Sequence, residues 1–305
     1  GVLAGHTEHP YRLQCHQRVL SQASAARLSA AGAPPRFRCP VLTVGQDKNT
    51  AWVQAATGPR LEADYVIGAD GARSIVRAAI GAEFDGAAYP ETTILATTRF
   101  PFEQVLPDLA GVNYVWKAGG TFSLLRLPDL WRCSFQAAGD SQGQPDDDQA
   151  ELQRHLRETF PADASRIEII EQRAYRVHRR LADRWRDRRL FIAGDAAHLN
   201  SPKGGMGLNG GIHDAFELVA SLTEANGDAS ADVLDRYERR RKPVLATDII
   251  AQADANQQRM AITDTSGRQQ ELERLQALRD NKAAAIEFLR GSSMLTGLAK
   301  AAQTP

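Results

Sequence analysis

The pattern of apolar and polar positions changes character several times along this chain, and each change marks a region. From Arg18 to Ala31 the sequence is rich in Ala, Leu and Ser, predicts a helix, and stops at Gly32 ahead of Pro34-Pro35. Short β-like runs follow at 40–44, 51–57 and 64–69, separated by the polar stretches GQDKN and GPR, and they predict a small meander. The last run, YVIGA, is apolar on both faces, which suits a buried parallel strand better than an edge.

Between about 91 and 140 the segments ETTILATTRF, GVNYVWKA, GTFSLLRL and LWRCSFQAAG are rich in β-branched and aromatic residues, with Gly and Pro between them. They predict an antiparallel sheet that forms a second domain. A helix is expected over 147–159, with Asp146–Asp148 placed favourably at its positive end. RIEIIEQRAYRV reads as another strand, and RRLFIAGDAAH as a buried strand ending in a polar loop. In GIHDAFELVASL, Ile212, Ala215, Phe216, Val219 and Leu222 recur at helical spacing and predict one apolar face. Two or three long helices follow from about 231, and no internal repeat or low-complexity linker interrupts the chain.

Composition narrows the classes. Of 305 residues, 43% are hydrophobic and 24% charged, which is the balance of a folded globular chain. The 37 basic and 37 acidic side chains cancel, which argues against a nucleic-acid partner; the Arg-rich stretch 176–189 is the one candidate basic patch. Three cysteines, Cys15, Cys39 and Cys133, lack CxxC spacing, so neither a disulfide framework nor a zinc site is expected, and a reducing cytoplasm is. No apolar run approaches the ~18 residues of a membrane span. The N-terminus GVLAGHTEHPYR lacks both the pattern of a signal peptide and an initiator Met.

Two strand-to-loop junctions carry candidate chemistry. In VIGADGARSIVR (66–77) a strand ends at Asp70, Gly71 permits a tight turn, and a short helix begins near Ser74. A carboxylate at the C-terminal edge of a parallel strand lies where α/β proteins bind ligands, although an ordinary β–α turn with Asp as a helix cap would spell ADG equally well. In FIAGDAAHLNSPKGGMGLNGGIHDA (191–215) Asp195 again ends an apolar strand, and Gly204, Gly205, Gly207, Gly210 and Gly211 precede a helix. Free N–H groups at a helix N-terminus stabilise negative charge, such as a reduced flavin carries on its pyrimidine edge; a phosphate loop or a plain glycine-rich connection is the other reading. No GxxxxGK(S/T) is present, so a nucleotide triphosphatase is disfavoured.

The two junctions together, in this order and about 125 residues apart, resemble the DG and GD motifs of the group A flavoprotein monooxygenases, the para-hydroxybenzoate hydroxylase-like family. YRLQCHQRVLSQ resembles the family segment that sets an Arg or Gln against FAD, here Gln17, and LDRYERRRKPV resembles the usual continuation. The resemblance implies an α/β fold: an FAD-binding Rossmann-like domain with an inserted antiparallel substrate sheet and C-terminal helices. The expected boundaries are 1–88 for a partial FAD-binding domain, 89–183 for the substrate sheet, 184–222 for the return to the FAD-binding domain, and 223–305 for the helical region. It further implies that Asp195 binds the ribityl hydroxyls and Pro202 lies beside the flavin ring. Gly205, Leu208 and Asn209 would offer backbone contacts to the pyrimidine edge, with Pro202 and Gly205 the positions nearest the chemistry. Asp70 and Gly71 would support the pyrophosphate region. His198 reads as a packed, hydrogen-bonded residue rather than a catalyst, and Lys203 as solvated in the flavin loop.

The family opens with a strand–GxGxxG–helix unit of at least ~30 residues, which does not precede Gly1, so a family member without its N-terminal portion is expected. The implied activity is hydroxylation of a small phenolic substrate by FAD, NAD(P)H and O2 through a flavin hydroperoxide, in a monomer or homodimer. Tyr114, Trp116, Phe122 and Phe135 are candidate substrate walls, about half of them on the wrong face by strand alternation. A flavin-dependent reductase or dehydrogenase, and a flavin-free interaction module, are the competing readings.

Overall fold

The computed structural model describes residues 1–117, 120–137, 145–225 and 231–305, without the side chains of 90, 91, 117, 120, 136, 137 and 145–148. The expected role of Asp146–Asp148 at a helix start therefore lies outside the described residues. The chain divides into two units. One comprises residues 1–35, 88–177 and 258–276, the other 36–87, 178–257 and 277–305. This division runs differently from the expected boundaries 1–88, 89–183, 184–222 and 223–305, because residues 1–35 group with the sheet and most of the C-terminal helices with the two motifs. Gln14 shows one cause: its amide nitrogen is placed to donate to the carbonyls of Gly111 and Arg126.

In the first unit, α1 (Gln17–Ala30) ends before Gly32, whose φ of +79° turns the chain. No residue of α1 is buried. Residues 88–177 of this unit contribute to a sheet built from β5 (Phe84–Thr98), β6 (Val112–Lys117), β7 (Gly120–Arg126), β8 (Trp131–Ala137) and β9 (Glu171–Ala182), in the order β9-β5-β8-β7-β6. Helix α3 (Pro145–Thr159) packs on β7 and β8. Register decides which aromatic residues it covers: Val115 pairs with Phe122, Phe122 with Phe135, and Phe135 with Ile94, so these share one face. Phe122, Phe135 and Ile94 are buried with Leu152, Leu156 and Phe160. Tyr114 and Trp116 alternate to the other face with Ser123 and Ser134. Phe122 and Phe135 are thus core residues, the half of the four candidates that strand alternation turns away from a substrate.

The second unit holds a meander of β1 (Val41–Gln46), β2 (Ala51–Ala55) and β3 (Leu61–Ala63), then β4 (Val66–Gly68) and α2 (Ile75–Ala79). Near Arg189, β10 (Arg186–Asp187) and β11 (Leu190–Ile192) form a three-stranded sheet with β4 in the order β10-β11-β4. β12 (His198–Leu199) pairs with the end of β9. The expectation that 64–69 is buried on both faces fails: β4 is an edge of its sheet and Ile67 is 44% exposed.

Helix α4 (Gly207–Ala225) corrects a second expectation. Its buried positions are Gly210, Asp214, Leu218, Ser221 and Ala225, while Phe216 and Val219 of the predicted apolar face are exposed. Sequence periodicity finds an apolar stripe but does not say what that stripe meets; here a stripe of small and polar residues turns inward because its carboxylate has buried partners. Helix α5 (Ala231–Val244) runs through a π-helical turn at Leu245–Ile250 into α6 (Ala251–Met260). Then come α7 (Thr265–Asp280), α8 (Lys282–Ser292) and α9 (Leu295–Gln303). No described helix is long and apolar enough to cross a membrane. The Arg-rich stretch is spent internally: Arg179 pairs with Asp254 and Arg186 with Asp235, while Arg180, Arg184 and Arg189 donate to the carbonyls of Phe84, Ile80 and Asp64.

Candidate flavin site at two parallel strand ends

β4 and β11 are parallel neighbours, with Gly68 beside Ile192, and the Ala193 N–H donates to the Gly68 carbonyl at 3.0 Å. The two motifs, more than a hundred residues apart in sequence, therefore leave the sheet side by side at its C-terminal edge, the edge where α/β sheets hold ligands. A third residue ties them. Arg77 sits over the Phe84 ring at 3.8 Å and donates to the carbonyls of Ala196 (2.9 Å) and Ala72 (2.7 Å).

The first turn is self-contained. Gly71 takes a φ of +79°, and Asp70 Oδ2 accepts from the N–H groups of Ile75 at 2.8 Å and Val76 at 3.4 Å. Ser74 Oγ accepts from Arg77 N–H at 2.9 Å. Both side chains satisfy donors at the start of α2, so Asp70 has the capping role of an ordinary β–α turn.

The second turn is held from outside. Gly194 turns at φ +58°, and Asp195 follows it as an exposed carboxylate that receives no hydrogen bond from the described residues. The Gly194 N–H donates to Asp214 Oδ2 at 3.2 Å. That oxygen also meets His198 Nε2 at 2.7 Å, and Asp214 Oδ1 accepts from Arg241 Nε at 2.9 Å. All three side chains are buried, with Trp185 stacked on the His198 ring at 5.7 Å. Burial alone would raise the Asp214 pKa; the hydrogen bonds and charges of His198 and Arg241 outweigh it and hold the carboxyl below its ordinary value.

Beyond β12 the chain turns at Pro202–Gly205, with the Gly205 N–H on the Pro202 carbonyl at 3.0 Å and φ +69° at Gly205. Pro202, Gly205, Leu208 and Asn209 are all exposed, and Asn209 Nδ2 donates to the Gly205 carbonyl at 2.8 Å. Helix geometry leaves the N–H groups of Gly207, Leu208 and Asn209 without intrahelical acceptors. An exposed carboxylate without a donor, beside a helix N-terminus bordered by glycines, fits a ligand that carries hydroxyls and a polar, charge-accepting edge. FAD has both. Gln17 begins α1, in the other unit.

The model of the FAD binding domain family matches residues 2–253. The chain belongs to this family of flavoprotein monooxygenases. It is 30% identical to the para-nitrophenol 4-monooxygenase of a Pseudomonas species, over 97% of this chain and 75% of that protein. It is 32% identical to the 6-hydroxy-3-succinoylpyridine 3-monooxygenase of Pseudomonas putida, over 79% of this chain and 62% of that one. Among solved structures, p-nitrophenol 4-monooxygenase from Pseudomonas putida superposes with a TM-score of 0.86 at 26% identity, covering 98% of this chain and 76% of that chain. An aklavinone-11 hydroxylase, solved with FAD and aklavinone, gives 0.72 at 28% identity over 85% of this chain and 51% of that one. The chain spans 62% and 54% of the length of the first two curated relatives it matches.

Sequence reasoning passed over Asp214, Tyr237, Arg241 and Arg77. One signal was available for Asp214: it lies four residues after Gly210 and four before Leu218, on one side of the helix with both. Tyr237 and Arg241 are likewise four apart on α5 and share its buried side.

Proposed function

We propose that this chain provides the flavin-holding and substrate-facing parts of an FAD-dependent monooxygenase that hydroxylates a small phenolic compound, with NAD(P)H as electron donor and O2 as oxygen source. The observation that carries the reading is Asp195: an exposed carboxylate without a donor among the described residues, presented at the C-terminal edge of two parallel strands beside a helix N-terminus. Bound FAD supplies the electron transfer from nicotinamide to oxygen that no side chain can perform. The protein's residues do the rest. Asp195 accepts hydrogen bonds from hydroxyl groups of the cofactor. The first N–H groups of α4 stabilise negative charge at the edge of the ring system. Gly205, with its positive φ, leaves the loop free of a side chain where a planar ring must approach.

For the substrate, the sheet face opposite α3 offers Tyr114 and Trp116 with the hydroxyls of Ser123 and Ser134. Trp116 Nε1 and Thr97 Oγ1 on that face are buried without a hydrogen-bond partner among the described residues. Such groups suit an aromatic ring that carries a polar substituent, since an apolar ligand would leave them unsatisfied.

The test is turnover of a panel of phenols with NADH or NADPH in an oxygen electrode, with product analysis by mass spectrometry. Nicotinamide oxidation coupled to a product heavier by one oxygen atom is expected. Rapid nicotinamide oxidation passed to an artificial acceptor, with no oxygenated product and no peroxide, would replace this reading with a reductase or dehydrogenase.

A further inference from the structure

The segment LDRYERRRKPV reads at first as a mere continuation of the chain, and the structure gives it work. Tyr237 and Arg241 lie one helical turn apart on α5, both buried. The Tyr237 hydroxyl donates to the carbonyl of Ile192, the last residue of β11, at 2.9 Å. Arg241 reaches Asp214 on α4 through Nε at 2.9 Å and the Gly210 carbonyl through Nη2 at 3.4 Å. Asp214 in turn holds His198 and the Gly194 N–H. The turn is also fixed by close approach, since a Cβ built on Gly211 would stand 3.2 Å from the Cα of Gly194. The hydrogen bonds of Gly194, His198 and Arg241 thus converge on one carboxylate, that of Asp214.

We propose that Asp214 is a positioning residue for the cofactor turn. Its Oδ2 sets the Gly194 N–H, and with it the direction in which Asp195 leaves the strand, while Oδ1 and Arg241 keep that carboxylate charged and fixed in rotation. The proposal rests on the reading that Asp195 holds the flavin. It goes beyond that reading because Asp214 touches neither the cofactor surface nor solvent: it acts through the backbone of the turn.

Atom-level accounting separates positioning from simple stability. In Asp214→Asn the new NH2 group faces either the Arg241 N–H or the Gly194 and His198 donors, so two donors collide in both orientations. In the double variant Asp214→Asn, Arg241→Met the NH2 group faces no donor at Oδ1, and the remaining oxygen still accepts from Gly194. In Asp214→Ala, Arg241→Met the guanidinium and the carboxylate are removed together, but the Gly194 N–H and His198 Nε2 have lost their acceptor. Three quantities are compared: melting temperature without flavin, FAD affinity by fluorescence quenching, and hydrogen exchange of the Gly194 amide by NMR.

The two double variants are expected to melt within a few degrees of each other. The Asn/Met protein should bind FAD within about threefold of wild type, and the Ala/Met protein at least tenfold more weakly. The Gly194 amide should stay protected in the first and exchange freely in the second. Equal FAD affinity and equal Gly194 protection in both double variants would overturn the proposal, as would affinity that merely follows melting temperature across the whole set. Failure of the wild-type protein to bind FAD would defeat the functional reading alone, because Gly194 exchange still decides the positioning role.

Discussion

The turns after β4 and β11 have nearly the same composition, yet they are built in opposite ways. In the first, the carboxylate precedes the glycine, so Asp70 folds forward over the helix start and spends Oδ2 on Ile75 and Val76. In the second, the glycine comes first and the carboxylate follows it. Asp195 has no local helix to cap, and the fixing of the turn passes to Asp214, Arg241 and Tyr237 from later in the chain. One turn is stabilised by its own neighbours; the other is held in place by distant residues and keeps its carboxylate available. Residue order around the glycine thus separates the aspartate that caps a helix from the aspartate that stays exposed.

The largest expected effect comes from removing a distant support. Arg241→Ala leaves the Asp214 carboxylate buried without its guanidinium partner, and breaking a buried pair in this way costs about 3–5 kcal/mol. Urea unfolding should show that loss without flavin present. A loss below about 1 kcal/mol would mean that the second turn, like the first, is locally stable.

Next is Asp195→Ala, which removes an exposed acceptor that no described residue uses. Stability without flavin should change by under about 0.5 kcal/mol, the usual range for a surface site. FAD affinity should fall at least about tenfold, the loss of a charge-assisted hydrogen bond. Unchanged FAD affinity would show that the two aspartates do not differ in availability. Asp70→Ala should do the reverse: about 1 kcal/mol of stability lost with the cap, and a smaller change in FAD affinity than at Asp195.

A pH series sharpens the contrast further. Because the Asp214 carboxyl is held below its ordinary value of 3.8, its stabilisation is complete above that pH and disappears as pH falls through the lower folded value. Comparing acid unfolding of wild type with Asp214→Asn, Arg241→Met should show a shallower decline in the variant below about pH 4. Identical curves would remove Asp214 from the account of acid stability. The smallest effect belongs to Gly71→Ala: φ of +79° costs a side chain about 1 kcal/mol, and no atom lies within 4 Å of the added methyl, so circular dichroism melting should register only that strain.

Much of this was legible in the residues. Local signals are short-range, and the chain carries strong ones: the end of α1 at Gly32, the strands of the sheet domain, the Ser74 cap, and the start of α4 after the glycine-rich loop. The order of the two motifs, read as one pattern, also marked the family that the whole-chain comparison shows. What the sequence could not decide was which of two chemically plausible faces turns inward. The apolar run Ala215, Phe216, Val219 looks like the buried side of α4, but the buried side contains Asp214, because His198 and Arg241 arrive there from elsewhere in the chain. Likewise YVIGA reads as buried on both faces, whereas β4 has one strand neighbour among the described residues and leaves Ile67 exposed. Periodicity is a property of the element itself and survives in the sequence. Burial is a property of the partners, which sequence spacing does not encode, so the pairing of a carboxylate with a histidine and an arginine sixteen and twenty-seven residues away was settled only when the chain closed on itself.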